Sequence, residues 1–354
     1  MNKDKYVAMD VHKASVVVGM RDAAGKYITE AIVETKASTL LDFIKGMSGP
    51  IHLTFEEGTQ SAWLYDLFKP HVTELIVCDP RRNKLLEEGS KGDRIDVQKL
   101  SELFCKGMLK PVYHGDHGTR ALKELGHNYE SLVSDRTRVK NRLKAIYRGR
   151  GISYQGAEIY QTKQQAEWLG KLNERGVKRR AELLYQQLES LDALVKEARR
   201  EMLAESRKQK VSRCLRRIST LGSISVALLI ATVDTPHRFR TKRQFWTYCG
   251  LAVVTRTSAD YYFDQGQLRR SRRPVVTRGL NQNYNRRLER IFKQAALTAS
   301  RRGPFKPYYE RLLARGLSEE LVRVTVARKI AAVTLAVWKK GAQFDPEKIL
   351  KPTT

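Results

Sequence analysis

The order in which short apolar runs alternate with helix-period segments constrains this chain more than any other feature. Tyr6 to Met9, Ser15 to Met20 and Tyr27 to Glu34 read as three strands, with a tight turn at Ala24-Gly25-Lys26 before the third. A helical stretch from Thr39 to Met47 stops at Gly49-Pro50. Strand Ile51 to Phe55, helix Ser61 to Phe68, strand Glu74 to Cys78 and a helix from Asp93 follow. The order is an antiparallel meander feeding right-handed βαβ crossovers, which predicts an α/β layer pattern.

Few folds have this order, and the ribonuclease-H-like fold is one of them. Beyond about Gly118 the strand signals end and the chain is expected to be mostly helical. Leu184, Leu188, Leu191, Val195, Ala198 and Met202 alternate steps of four and three, a coiled-coil seam that fits a helix packed on its neighbour or a dimer zipper. Upstream, a helix enriched in Arg136, Arg138, Lys140, Arg142, Lys144 and Arg148 keeps Leu132, Val139, Leu143 and Ile146 on one buried side. A third section starts near Val211, helical over Leu221 to Val233, broken as far as Pro274, and helical again over Leu280 to Ser300 and Glu319 to Lys340. The expected organisation is therefore an α/β domain over 1–115, a helical coiled-coil linker over 116–210, a helical C-terminal domain over 211–345 and a tail over 346–354.

Charge selects the partner. Lys and Arg number 66 against 38 Asp and Glu, a formal net charge of +28, and such a chain repels itself unless a polyanion neutralises it. Between Arg269 and Arg302, the cations Arg269, Arg270, Arg272, Arg273, Arg278, Arg286, Arg287, Arg290, Lys293, Arg301 and Arg302 face the single acid Glu289. Counterion release favours placing such a cluster on a phosphodiester backbone, so nucleic acid is the expected partner. With hydrophobic residues at 41%, the chain builds cores rather than a basic tail. The longest apolar stretches, Val226 to Ala231 and Ile330 to Trp338, fall short of the ~20 residues of a membrane span, so a soluble, intracellular protein is expected. Cys78, Cys105, Cys214 and Cys249 show no paired spacing, and neither a disulfide framework nor a zinc ribbon is expected.

In so basic a chain, acids in apolar contexts require an account, because burying an unpartnered carboxylate costs several kcal/mol. Asp10 ends the run Tyr6-Val7-Ala8-Met9, and Glu56-Glu57 follows strand Leu53-Thr54-Phe55. Asp93 and Asp96 open a helix on the side continued by Val97, Leu100, Leu103 and Phe104, which directs both acids toward the core. Singly, each has a structural reading, Asp10 as a turn-bonding residue and the helical pair as acids favoured by the helix dipole. Together they form a cluster suited to two hard divalent cations roughly 4 Å apart, which can hold the attacking and leaving oxygens of a phosphodiester in line.

Four segments resemble the DEDD transposases of bacterial insertion sequences, the insertion-sequence one-ten family with its Piv-type DNA invertase relatives. They are Val7-Ala8-Met9-Asp10-Val11-His12-Lys13, Phe55-Glu56-Glu57-Gly58-Thr59, Asp79-Pro80-Arg81-Arg82-Asn83 and Lys91-Gly92-Asp93-Arg94-Ile95-Asp96. Where the family reads Glu-Ala-Thr-Gly, this chain has Glu56-Glu57-Gly58-Thr59. In the last third, Ile218-Ser219-Thr220-Leu221-Gly222-Ser223-Ile224-Ser225, Tyr248-Cys249-Gly250-Leu251, Arg256-Thr257-Ser258-Ala259, Arg278-Gly279-Leu280-Asn281 and Arg286-Arg287-Leu288 continue the resemblance.

The resemblance implies a RuvC-like N-terminal domain in which Asp10, Glu56, Asp93 and Asp96 bind Mg2+, two ions, and a C-terminal transposase domain in which Ser258 is the nucleophile. It implies a cytoplasmic, nucleoid-associated bacterial recombinase that cleaves and rejoins donor and target DNA, guided by a structured noncoding RNA that bridges them. Two-site recombination further implies a homodimer or tetramer. Arg138, Arg142, Arg269, Arg270, Arg272, Arg273, Arg278, Arg286 and Arg287 are the expected nucleic-acid contacts. A site-specific invertase, a metal-only nuclease in which water attacks, and a binding protein with structural acids are the rival readings.

Overall fold

The computed structural model describes residues 4–80, 92–115, 118–258, 261–270 and 275–349; the side chains of 256–258, 262, 263, 270 and 275–278 also lie outside the described residues. Arg81, Arg82, Asn83, Lys91, Arg272, Arg273 and the tail beyond 349 therefore fall outside this description. The chain divides into two compact units, 1–115 and 116–354.

The first unit is built on a five-stranded sheet. Its strands are β1 (Lys5–Val11), β2 (Ser15–Asp22), β3 (Tyr27–Glu34), β4 (Ile51–Glu56) and β5 (Glu74–Cys78), in the order β3-β2-β1-β4-β5. β1, β2 and β3 pair antiparallel, whereas β4 pairs parallel with both β1 and β5. The meander followed by crossovers is the ribonuclease-H-like order read from the sequence.

Alternation along the strands sorts side chains onto two faces. Val7, Met9, Val16, Val18, Leu53 and Phe55 enter one core with Leu40 and Ile44 of helix α1 (Ala37–Lys45) and Leu64 and Phe68 of α2 (Ser61–Phe68). Ala8, Val17 and Cys78 enter a second core with Val97, Leu100 and Phe104 of α3 (Asp93–Cys105). Close approach of α3 requires Gly19 on β2, since a Cβ there would lie 2.4 Å from Val97 Cγ1. Arg21 then fastens the helix, its Nε donating to Ser101 Oγ at 3.0 Å.

In the second unit, α4 (Arg120–Arg148) and α6 (Arg175–Lys208) form a long antiparallel hairpin whose tip carries α5 (Gln165–Gly170). Leu184, Leu188, Val195, Ala198 and Met202 are buried and Leu191 is partly so. α4 contributes Val139, Leu143, Ile146 and Tyr147 to the same packing, and the Tyr147 and Tyr185 hydroxyls bond at 3.0 Å. The heptad seam is thus covered within the chain, which resolves its two readings in favour of the helix packed on its neighbour.

After α7 (Lys210–Leu215), the apolar helix α8 (Ser223–Val233) and α9 (Lys242–Tyr248), the stretch expected to be broken as far as Pro274 carries strands. Strands β6 (Val253–Ser258), β7 (Tyr261–Asp264), β8 (Gln267–Arg270) and β9 (Val275–Leu280) form two two-stranded sheets, β6 with β9 and β7 with β8. Gln265 and Gly266, with φ of 48° and 77°, make the tight β7–β8 turn, because paired positive φ angles match the twist of a hairpin. Leu280 consequently ends a strand, and the next helix, α10 (Arg286–Arg301), begins only where Asn285 accepts a capping bond from the Leu288 amide. α11 (Lys306–Ala314) and α12 (Glu319–Lys340) complete the unit. The core gathers α8, α10 and α12 around Phe245, Phe292 and Phe305. Among the described residues, no helix is long and apolar enough to cross a membrane.

Candidate active site

β1 and β4 run parallel in register, Met9 opposite Phe55, so Asp10 and Glu56 follow side by side at the carboxyl ends of adjacent strands. Since Met9 and Phe55 point into the α1–α2 core, alternation turns the next residue of each strand toward the α3 side. His12, two residues after Asp10, shares that side. The first turn of α3 supplies Asp93 and Asp96.

This placement brings three of these side chains into contact. His12 Nε2 lies 3.2 Å from Asp10 Oδ2 and 3.3 Å from Asp93 Oδ2. Ligand atoms of Asp10, His12 and Asp93 all lie within 4.8 Å of one another. Glu56 and Asp96 stand outside this trio but within its electrostatic field. Burial pushes the Asp10 carboxyl above its ordinary range, with Asp93 and Asp96 adding to the effect and His12 opposing it. Burial likewise raises Glu56, and the negative charges of Asp10, Asp96 and Asp79 raise it further. Asp93 is 59% exposed, which corrects the expectation that both helical acids face the core. Val97, Leu100 and Phe104 fill that core, and a carboxylate at the helix start keeps its hydration.

A cavity of about 450 Å3 opens beside the trio, lined by Asp10, His12, Lys13, Glu56, Thr59 and Gln60 among others. Gln60 Oε1 is buried without a hydrogen-bond partner. Mutually repelling carboxylates, an imidazole nitrogen and an unsatisfied amide oxygen form an oxygen-rich donor set that fits a hard divalent cation.

Glu57 has a different environment from Glu56. His114 Nε2 lies 2.8 Å from Glu57 Oε2, and the His114 ring stacks on Tyr65 with centroids 4.8 Å apart. The two neighbouring glutamates therefore diverge, one into the acidic field and one onto a histidine.

Sequence reasoning quoted His12 within a motif without giving it a role, although its two-residue spacing from Asp10 on a strand was the available signal. Asp79 likewise stands in a quoted motif without a role, and nothing local marks His114, which approaches Glu57 only through the fold.

The remaining predicted residues belong to the second unit. The Ser258 backbone pairs with Val275 at the end of β6, and its side chain lies outside the described residues, as do those of Arg270 and Arg278. Arg138 and Arg142 are exposed on α4, Arg138 beside Asp135 at 2.8 Å. Arg269 pairs with Asp264 at 3.0 Å, and Arg286 is exposed. Arg287 is only 21% exposed, held by Glu130 at 2.5 Å and donating to Thr232 Oγ1 at 3.1 Å. Its charge is thus committed to joining α10 to α4.

The comparisons with known proteins bear on both ends of the chain. A family model for transposases of the DEDD type found in IS110 elements matches residues 7–149, which include Asp10, His12, Glu56, Asp93 and Asp96. A second model, described as the transposase IS116/IS110/IS902 family, matches residues 212–282, which include β6 to β9 and Ser258. No curated protein is significantly similar to the chain. The two models together span more than half of the sequence, and the chain belongs to the IS110 family of DEDD transposases.

Proposed function

We propose that the acidic cleft at the carboxyl ends of β1 and β4 is the divalent-metal centre of this DNA transposase. The observation that carries this reading is the convergence of Asp10, His12 and Asp93 inside 4.8 Å, with Glu56 and Asp96 in the same field. Asp10 and Asp93 would hold Mg2+ directly, with Glu56 and Asp96 completing the shell for a second ion. Such ions, when bound, supply charge neutralisation and Lewis-acid polarisation at the scissile phosphate.

The chain's own residues do the rest. The Ser258 hydroxyl attacks phosphorus, its oxygen forms a phosphoserine bond, and the bond to the leaving strand oxygen breaks. The serine proton is lost as the attack proceeds, and the departing strand oxygen takes up a proton. Attack by another strand's hydroxyl then reverses the sequence and rejoins DNA. The reading of Ser258 rests on family resemblance and on its position within the second matched segment.

Exposed Arg138, Arg142 and Arg286 suit contacts with phosphates, and the neighbouring Arg269, Arg270, Arg272, Arg273 and Arg278 extend the basic segment. The same surfaces serve a bridging noncoding RNA, and assembly as a homodimer or tetramer supplies the several active centres that strand exchange needs.

The test is trapping of a covalent DNA adduct from the native ribonucleoprotein in Mg2+. Wild-type protein should yield an adduct mapping to Ser258, and Ser258→Ala and Asp10→Asn should yield none. A Ser258→Ala protein that still cleaves would replace this chemistry with attack by water.

A further inference from the structure

The tip of the α4–α6 hairpin concentrates positive charge that the metal-centre reading leaves unused. From Lys140 to Arg180 the sequence holds eleven Lys and Arg against three acids, Glu158, Glu167 and Glu174. All three acids are engaged. Glu158 accepts from the Gln155 amide, Glu167 lies 2.9 Å from Lys171, and Glu174 lies 3.1 Å from Arg150.

Lys140, Lys144 and Arg148 recur at steps of four and so form one row along α4. Arg138 and Arg142 stand two residues out of step with this row, and Arg138 already pairs with Asp135. Among the described residues the three cations of the row meet tyrosines instead of carboxylates. Lys140 Nζ lies 4.9 Å from the centre of the Tyr160 ring, and Lys144 Nζ lies 5.6 Å from the centres of both Tyr154 and Tyr160. Arg148 Nη2 donates to the Tyr154 hydroxyl at 3.2 Å. The rings orient the cations without cancelling their charge.

Beside the row, a trough of about 420 Å3 is lined by Asn141, Lys144, Ala145, Arg148 and Gly149. Ala145 and Gly149 contribute almost no side chain, which leaves room for a backbone to lie against the helix. Free carbonyls at the end of a helix would repel an anion, but those of α4 are occupied. The Ala145, Tyr147 and Arg148 carbonyls accept from the amides of Gly149, Arg150 and Gly151 at 2.9–3.1 Å, and Arg150 Nη1 donates to the Ile146 carbonyl at 3.4 Å. Each step of four residues advances about 6 Å along the axis, comparable with the step between neighbouring phosphates of one strand.

We propose that Lys140, Lys144 and Arg148, oriented by Tyr154 and Tyr160, form a docking surface for one unpaired nucleic-acid strand, with a phosphate at each cation. A single row of cations beside aromatic rings suits one backbone, whereas a duplex presents two. The surface takes from the transposase assignment only the presence of nucleic acid, and it has no part in bond cleavage.

The experiment is fluorescence anisotropy on the full chain over a range of salt, with labelled single-stranded RNA, single-stranded DNA and duplex DNA of one length. Lys140→Gln/Lys144→Gln/Arg148→Gln should weaken single-strand binding by about 10-fold at low salt and flatten the salt slope by about 2, three phosphates at about 0.7 each. A control variant of equal charge, Lys123→Gln/Lys196→Gln/Arg199→Gln, removes exposed cations elsewhere on α4 and α6 and should stay close to wild type. A loss on single-stranded RNA, single-stranded DNA or both that exceeds the control's supports the surface and shows which sugar it accepts. Equal losses in the two triple variants, or a loss confined to duplex DNA, would overturn it. Arg148 is exposed, so Arg148→Gln alone keeps the test decisive if the triple variant fails to fold. It should flatten the single-strand slope by about 0.7, with Arg148→Lys restoring it, and an unchanged slope counts against the proposal. Asp10→Asn, measured in parallel, should bind all three probes like wild type while losing cleavage, so failure of the metal-centre reading remains distinguishable from failure of this surface.

Discussion

Glu57 is bonded to His114 at 2.8 Å while Glu56, its neighbour in sequence, sits in the field of Asp10, Asp96 and Asp79. The divergence assigns different consequences to two otherwise identical substitutions. Glu56→Gln should abolish DNA cleavage, a loss of about 100-fold or more if a metal-binding carboxylate is removed. Glu57→Gln should retain most activity, because Glu57 is engaged by His114 rather than held in the acidic field. Comparable losses in both variants, measured as single-turnover cleavage rates, would remove the distinction.

The raised affinities of Asp10 and Glu56 for protons set the pH dependence of stability. A carboxyl that is harder to ionise in the folded state binds more protons than its unfolded counterpart between the ordinary and the raised value. Stability from these groups is therefore greatest at low pH and falls as pH rises through that window. Asp10→Asn should accordingly raise the melting temperature of the metal-free protein at neutral pH. Added Mg2+ should stabilise wild type more than Asp10→Asn, since binding to the native state alone adds stability by mass action. Equal shifts in both proteins would argue against a cation at Asp10.

His12 bridges Asp10 and Asp93 through one ring nitrogen. Its replacement by Ala should leave the fold intact, given its exposure, and weaken Mn2+ binding by about 10-fold, the lower range for groups that orient metal ligands. Calorimetric titration with Mn2+ reads this directly. An unchanged dissociation constant would reduce His12 to a surface ion pair.

Gly19 allows α3 to approach β2, and α3 carries Asp93 and Asp96. Gly19→Ala introduces a methyl 2.4 Å from Val97 Cγ1 and 2.9 Å from the Tyr27 hydroxyl. The expected cost is about 1–3 kcal/mol in chemical denaturation, together with weaker Mn2+ binding as the helix start moves. A stability loss with unchanged Mn2+ affinity would show that α3 yields without disturbing its acids.

Much of this architecture is legible in the sequence because strand alternation and the acids reinforce each other. An Asp that ends an apolar run, and a Glu that follows Phe55 on a second run, necessarily emerge at strand ends. Which faces they share follows from period two, and the same rule would have promoted His12. The four strands between Val253 and Leu280 were hidden for a physical reason. Their β-branched pairs, Val253-Val254 and Val275-Val276, are short and separated by arginines, so no window holds a sustained alternation. Arg287 read as a phosphate contact because its cluster holds a single acid in sequence, while its partner Glu130 arrives from α4. Pairings of this kind exist only once the helices are packed.

Diffraction from crystals grown with Mn2+, recorded at the manganese absorption edge, tests the central claim most directly. The account predicts an anomalous peak between the carboxylates of Asp10 and Asp93, absent from Asp10→Asn crystals. A wild-type map with no peak at these residues, from crystals of protein that cleaves DNA in the same buffer, would contradict it.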